Sequence, residues 1–232
     1  MRSVRQIAAA CLLLGVLAPS AQRAVAQDPS SGEVARFTLR GLAVDPFLLE
    51  DVPAPSPDLL RTRTDLRVEA AAQLLATNQP LAAMAILREI ISADPENKQA
   101  RMAASSAFIL AGRHREARDL LEALVRKYPY DHLPFNNLAW FYATVDNPDF
   151  RNAERSLAMA REAVFRAPGD YHVWSTLAEA HYVNGHYEQA LRAAQEALTL
   201  ATREQAAAAN ARTYRAQYDK CRRAVDAFSL VE

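Results

Sequence analysis

From Thr64 onward the apolar residues fall on one helical face after another. Within residues 171–200, Trp174, Leu177, Ala178, His181 and Tyr182 recur at three- and four-residue spacing. After Asn184-Gly185, Tyr187, Ala190, Leu191, Ala194, Ala197 and Leu198 repeat the pattern. This spacing predicts two short amphipathic helices joined by a turn. Ala178, Ala190 and Ala197 stand where two helices cross closely, with larger residues at the flanks. Upstream, Leu74 and Leu75 precede Pro80, a residue tolerated at a helix start because its missing N–H would be unpaired there anyway. Ala83, Leu87, Ile90 and Ile91 then form a stripe that Pro95 ends. The next unit turns at Gly112 and closes at Tyr128-Pro129. Another opens with Asn136-Asn137-Leu138-Ala139-Trp140 and carries a longer turn over residues 144–152.

Two landmarks keep one register. Pro95, Pro129, Pro168 and Thr202 advance in step with Ala83, Ala117, Ser156 and Ala190, and both series share the same single longer interval. Alanine-rich helices imitate a repeat easily, but two independent landmarks do not drift together by accident. The unit resembles the tetratricopeptide repeat, W-x2-L-G-x2-Y followed by A-x3-F and then A and P over about 34 residues. Trp174 and Leu177 match outright. Ala178 takes the small-residue place, His181-Tyr182 the aromatic one, Ala190 and Ala197 the alanines, and Ala194 the usual Phe. The resemblance implies an all-α fold: an α-solenoid of about four helix-turn-helix repeats over 64–204 (64–97, 98–131, 132–170 and 171–204). A C-terminal capping helix and tail over 205–232 would follow. Each pair is too small to bury its apolar face alone, so neighbours must stack.

The flanks read differently. Residues 1–26 have the pattern of a signal peptide: Arg2 and Arg5, an apolar run from Ile7 to Ala18, and Ala24-Val25-Ala26 as a cleavage site. Export, to the periplasm, is expected, with secretion or retention by an uncleaved leader as alternatives. The apolar run is too short to span a bilayer comfortably, so no stable membrane insertion is expected after cleavage. Residues 27–63 form an extended, proline-containing arm, since Pro46, Pro53, Pro55 and Pro57 oppose a long helix. Phe37, Leu39, Leu42, Phe47, Leu48 and Leu49 make it more apolar than a tether. Capping the first repeat is one use for it, and lying in the repeat groove in cis is another. At the other end, Thr202 and Gln205 have the spacing of a capping box, predicting a last helix over roughly 203–227. Its stripe is Ala206, Ala209, Asn210, Thr213, Tyr214, Gln217, Cys221, Ala224 and Phe228.

Composition removes several function classes. Lys plus Arg and Asp plus Glu number 27 each, so no basic footprint points to nucleic acid. The six glycines are isolated, so neither a phosphate loop nor a G-x-S-x-G elbow can form. His114, His132, His172, His181 and His186 show no metal-ligand spacing, and no base–nucleophile pair is evident. No cofactor, metal or catalytic residue is therefore expected. With the leader removed, Cys221 stands alone and is expected as a small buried residue, intermolecular pairing being the alternative.

The family resemblance implies that first-helix positions line a concave groove. These are Met102, Ser106 and Ile109 in the second repeat, with Gln99 and Leu110. In the third they are Asn136 and Trp140, with Leu133 and Ala143. In the fourth they are His172, Ser175, Glu179 and Tyr182. The positions that would grip an acidic C-terminus carry Val68, Ala72, Ala103, His172 and Thr176, and only Asn137 fits, so that clamp is not expected. The reading is a non-catalytic scaffold of the cell envelope that binds a protein or peptide segment in this groove. A self-associating repeat module, using its ends or Cys221, is the second reading, and an enzyme or metal site hidden in the groove is the remote third.

Overall fold

The computed structural model describes residues 57–204 and 208–229, with side chains described for 63–204 and 211–229. The leader, the arm up to residue 56 and the reading of that arm as a groove occupant lie outside the described residues. Among the described residues the elements in order are α1 (Pro57–Ala76), α2 (Pro80–Ala93), α3 (Lys98–Leu110), α4 (His114–Lys127) and α5 (His132–Thr144). A 3-10 turn (Pro148–Phe150) precedes α6 (Ala153–Arg166), α7 (Tyr171–Val183), α8 (Tyr187–Arg203) and α9 (Ala208–Phe228). Each helix packs on the next, and α1 also meets α3 while α5 meets α7. That is a solenoid of helical hairpins.

Local chemistry sets the helix ends. Asn97, Asp131, Asn152 and Asp170 each accept a hydrogen bond from a first-turn amide of the helix they precede, which satisfies a donor the helix leaves orphaned. Three first helices end in one motif. After α3, Arg113 N–H donates to Phe108 O at 2.8 Å and Gly112 N–H to Ile109 O at 3.1 Å. After α7, His186 and Gly185 make the matching pair with His181 and Tyr182, and after α1, Gln79 and Asn78 do so with Leu74 and Leu75. Such a cap needs a left-handed residue, and Asn78, Gly112 and Gly185 have φ of 59°, 74° and 75°. After α5 the chain instead takes the longer turn, stitched by Asn152 N–H to Tyr142 O and by Arg151 Nε to Val145 O at 2.7 Å.

The packing explains the register. Ala83, Ala117, Ser156 and Ala190 are fully buried on α2, α4, α6 and α8, where a larger side chain would separate each hairpin. Ser156 keeps the place of an alanine because its hydroxyl donates to Ala139 O at 2.8 Å, so the buried polar group is satisfied. The caps also join neighbours. Asp131 takes Lys98 Nζ at 2.6 Å, and Asp170 takes His132 Nε2 at 3.3 Å. In both cases the first residue of one first helix meets the cap of the next.

Two boundaries differ from expectation. The first helix begins at Pro57 rather than Thr64, because a proline that ends an extended arm can equally open a helix. Thr202 is not an N-cap: it lies inside α8, where its Oγ1 donates to Leu198 O at 2.7 Å. That helix runs on to Arg203, and α9 is described from Ala208.

Candidate interaction surface

The predicted groove residues sit on three first helices, and the structure treats them in two ways. Those on α7 meet α9. Tyr214 hydroxyl lies 2.9 Å from His172 Nδ1, and Ser175 Oγ donates to Gln217 Oε1 at 2.7 Å. Gln217 Nε2 returns a bond to Ser175 O at 3.0 Å. Lys220 Nζ donates to both oxygens of Glu179 at 2.8 Å and stands 3.8 Å from the centre of the Tyr182 ring. Because the partners rise together along both helices, α9 runs parallel to α7, as a further first helix would. Its other face rests on α8. Tyr214 packs with Ala197 and Ala201, and Cys221 with Ala190, Ala193 and Ala194.

This junction has its own electrostatics. Burial holds the His172 imidazole below the usual histidine range, with Asp170 opposing that shift and His132 adding to it. Burial pushes the Asp170 carboxyl upward, but the bonds from His132 and from the His172 amide leave it below the ordinary carboxylate value. The Cys221 thiol, raised by burial to about 11 and closed to solvent, is a packing residue in this state, as its sequence context suggested.

On α3 and α5 the arrangement is open-ended. Met102, Ser106, Asn136 and Trp140 are buried, and Ile109 is half-buried against Trp140 and α5. Yet Ser106 Oγ, Asn136 Oδ1 and Trp140 Nε1 have no hydrogen-bond partner. Five further atoms share that condition: Arg101 Nε on α3, His114 Nδ1 on α4, Asn137 Nδ2 on α5, and Thr176 Oγ1 and His181 Nδ1 on α7. Asn136 Nδ2 does donate to Asn137 Oδ1, at 3.3 Å. The two helices bearing most of these atoms also approach one another less closely than α1 and α3 or α5 and α7 do. Unpartnered buried polar atoms are rare in folded proteins, and bound water or a partner group is what ordinarily satisfies them.

The sequence missed half of each set. Tyr214 and Gln217 were legible as part of the α9 stripe, but Lys220 was not, and nothing indicated that their partners were groove residues. The available signal was the three-residue spacing of Tyr214, Gln217 and Lys220, which puts polar groups along an inward face. A separate apolar depression of about 470 Å³, between Leu81, Met84 and Ile91 of α2 and Ala104 and Phe108 of α3, includes none of the predicted groove residues. Among the described residues, no group of three or more His, Cys, Asp or Glu could hold a metal, and no helix is long and apolar enough to cross a membrane.

Comparison with known proteins agrees with this architecture. A tetratricopeptide-repeat family profile matches residues 74–133. Among solved structures, TTC0263, a thermophilic TPR protein of Thermus thermophilus, aligns at a TM-score of 0.53 and 16% identity over 59% of this chain and 74% of that one. MamA from Desulfovibrio magneticus RS-1 aligns at a TM-score of 0.47 and 14% identity over 71% of this chain and 96% of that one. No curated protein matches the sequence. Helical hairpins capped alike, alanines buried in one register and a family profile over residues 74–133 together show the fold of a tetratricopeptide-repeat solenoid.

Proposed function

We propose that the protein is a non-catalytic scaffold of the cell envelope that receives a segment of another protein along α3 and α5. The observation behind this reading is the set of unpartnered polar atoms on Ser106, Asn136, Asn137 and Trp140, flanked by Met102 and Ile109. An amide, a hydroxyl and an indole N–H can between them donate to and accept from a peptide main chain. The apolar neighbours supply adaptable area for side chains. The α7 positions are already engaged by α9, which leaves α3 and α5 as the receiving face. The envelope assignment rests on the leader-like residues 1–26 and is tested separately by the mass and cell fraction of the purified chain. A chain recovered outside the envelope with residues 1–26 intact would remove it.

Photo-crosslinking tests the surface. A benzoylphenylalanine placed at Ile109 should trap a discrete partner in the native cell, and one at Arg192, on exposed α8, should not. Equal trapping from both sites would exclude this surface as the docking face.

A further inference from the structure

The contacts that hold α9 also state what else could hold it. Three polar pairs, His172 with Tyr214, Ser175 with Gln217 and Glu179 with Lys220, lie one turn apart along the helices. Below them, Tyr214 and Cys221 fill a bed of small residues on α8 that includes Ala193, Ala194, Ala197 and Ala201. Seat and helix are therefore matched in shape, charge and hydrogen bonding. Only the connection between α8 and α9 decides that they belong to the same chain.

That connection is unlike the others. Every other link between consecutive helices contains or directly precedes a proline or contains a glycine: Pro80, Pro95, Gly112, Pro129, Pro148, Pro168-Gly169 and Gly185. Between Arg203 and Ala208 the sequence is Glu204-Gln205-Ala206-Ala207. All four are strong helix formers, and no residue there stops a helix or favours a left-handed turn. By sequence alone this stretch is compatible with two arrangements: one that returns α9 to its own α8, and a continuous α8–α9 helix that would carry it away. The second uncovers the seat and the apolar face of α9 together, a loss that a second copy cancels by exchanging the same element.

We infer that α9 is an exchangeable element, and that two copies of this chain form a closed dimer in which each α9 occupies the α7–α8 seat of the other. The buried surface and the three polar pairs are the same in both forms, so the forms differ mainly in the connection. The three polar pairs of that interface use none of the unpartnered groups on α3 and α5.

A pair of charge reversals tests the exchange. Glu179→Lys would set a second ammonium against Lys220, and Lys220→Glu would set a second carboxylate against Glu179. Each variant alone thus sets like charges together, whether α9 stays in its own chain or exchanges with an identical copy. In a mixed exchanged dimer both seats carry opposite charges. Co-incubation of the two full-length variants, carrying different mass tags, should yield a one-to-one dimer by native mass spectrometry, in at least tenfold excess over dimers of either alone. The double variant E179K/K220E, which restores the pair within one chain, should behave like the parent. Retained helicity with no mixed dimer overturns the inference, as does equal dimerisation of each single variant. If the reversals unfold the chain, a second arm decides. Differently tagged parent chains should form mixed dimers on co-incubation, and Ala206→Pro, which forbids the continuous helix, should lose them. Parent chains that stay monomeric at all concentrations, or mixed dimers that persist undiminished in A206P, would overturn it equally.

Discussion

Met102, Asn136 and Ser175 hold one position of the repeat, and Ser106, Trp140 and Glu179 hold another. On α7 these positions are fully matched: Ser175 by Gln217 and Glu179 by Lys220. On α3 and α5 the same positions carry Ser106 Oγ, Asn136 Oδ1 and Trp140 Nε1 with no partner. The difference comes from what lies alongside rather than from the repeat itself. A parallel helix one step further along the stack supplies partners to these polar groups of α7, whereas α7 packs beside α5 without supplying one to Asn136 Oδ1 or Trp140 Nε1, and α3 and α5 stand apart from each other. A groove position in a solenoid is therefore an opportunity. Whether it becomes packing or binding depends on whether its own chain fills it.

The comparison breaks most visibly at Tyr214. Its ring is almost completely buried, touches Tyr171 edge-on at 5.3 Å and meets His172 through its hydroxyl. Tyr214→Ala should cost about 3–5 kcal/mol, as large aromatic truncations in cores do. The loss should appear in a urea titration, with hydrogen exchange accelerated across α9 and the facing side of α7 but little changed in α1–α4. Uniform acceleration through the whole stack would mean that α9 is not a separable unit. Tyr214→Phe keeps the packing and strips only the hydroxyl, so about 1 kcal/mol should be lost.

Acidification should weaken the α7 end before the α3–α5 face. Burial, with Arg161 and then His186 contributing, lowers His181 from 6.5 to about 4, and burial also lowers His172. Well above pH 6.5 both rings are neutral whether the chain is folded or not, so their contribution is intact. As the pH falls from about 6.5 toward 4, the unfolded chain takes up protons that the folded chain refuses, and stability declines. The slope is at most about 1.4 kcal/mol per pH unit for each ring. Urea midpoints at pH 7 and pH 5 measure it, and His181→Leu should flatten the dependence. An unchanged slope in H181L would assign the acid sensitivity elsewhere.

How much of this was visible beforehand follows from range. Turns are local, so Gly112 and Gly185 were placed from neighbouring residues and the buried alanines from one register, whereas the caps Asn97, Asp131 and Asp170 went unread although each is a short polar residue just before a helix. Pro57 and Thr202 misled because each is chemically suited to two roles. Proline both ends an extended arm and opens a helix, and a threonine near a helix end either caps the next helix or bonds back to its own carbonyls. The pairing of α7 with α9 was not legible, since His172 and Tyr214 lie 42 residues apart and no motif within one repeat records the next. The unpartnered atoms were invisible for the opposite reason: a sequence shows which groups are polar and not which fail to find a partner.

The smallest expected effect is the most discriminating. Ser106 is buried, and its hydroxyl serves no group within the chain. A buried hydroxyl without a partner destabilises the fold, so Ser106→Ala should leave stability unchanged or raise it by about 1 kcal/mol. Asn136→Leu should likewise be tolerated, since it exchanges an unsatisfied carboxamide for an apolar group of similar size, although the single bond to Asn137 is lost. By contrast, removing matched groups on α7, as in Ser175→Ala, should lower stability because Gln217 Oε1 then loses its donor. Partner capture from Ile109 should follow the reverse order: reduced in S106A and N136L, and retained in S175A. A protein that is more stable yet captures less has surrendered a binding group rather than a packing one. If S106A instead loses stability and keeps its capture, the hydroxyl is serving the fold, and α3 is no different in kind from α7.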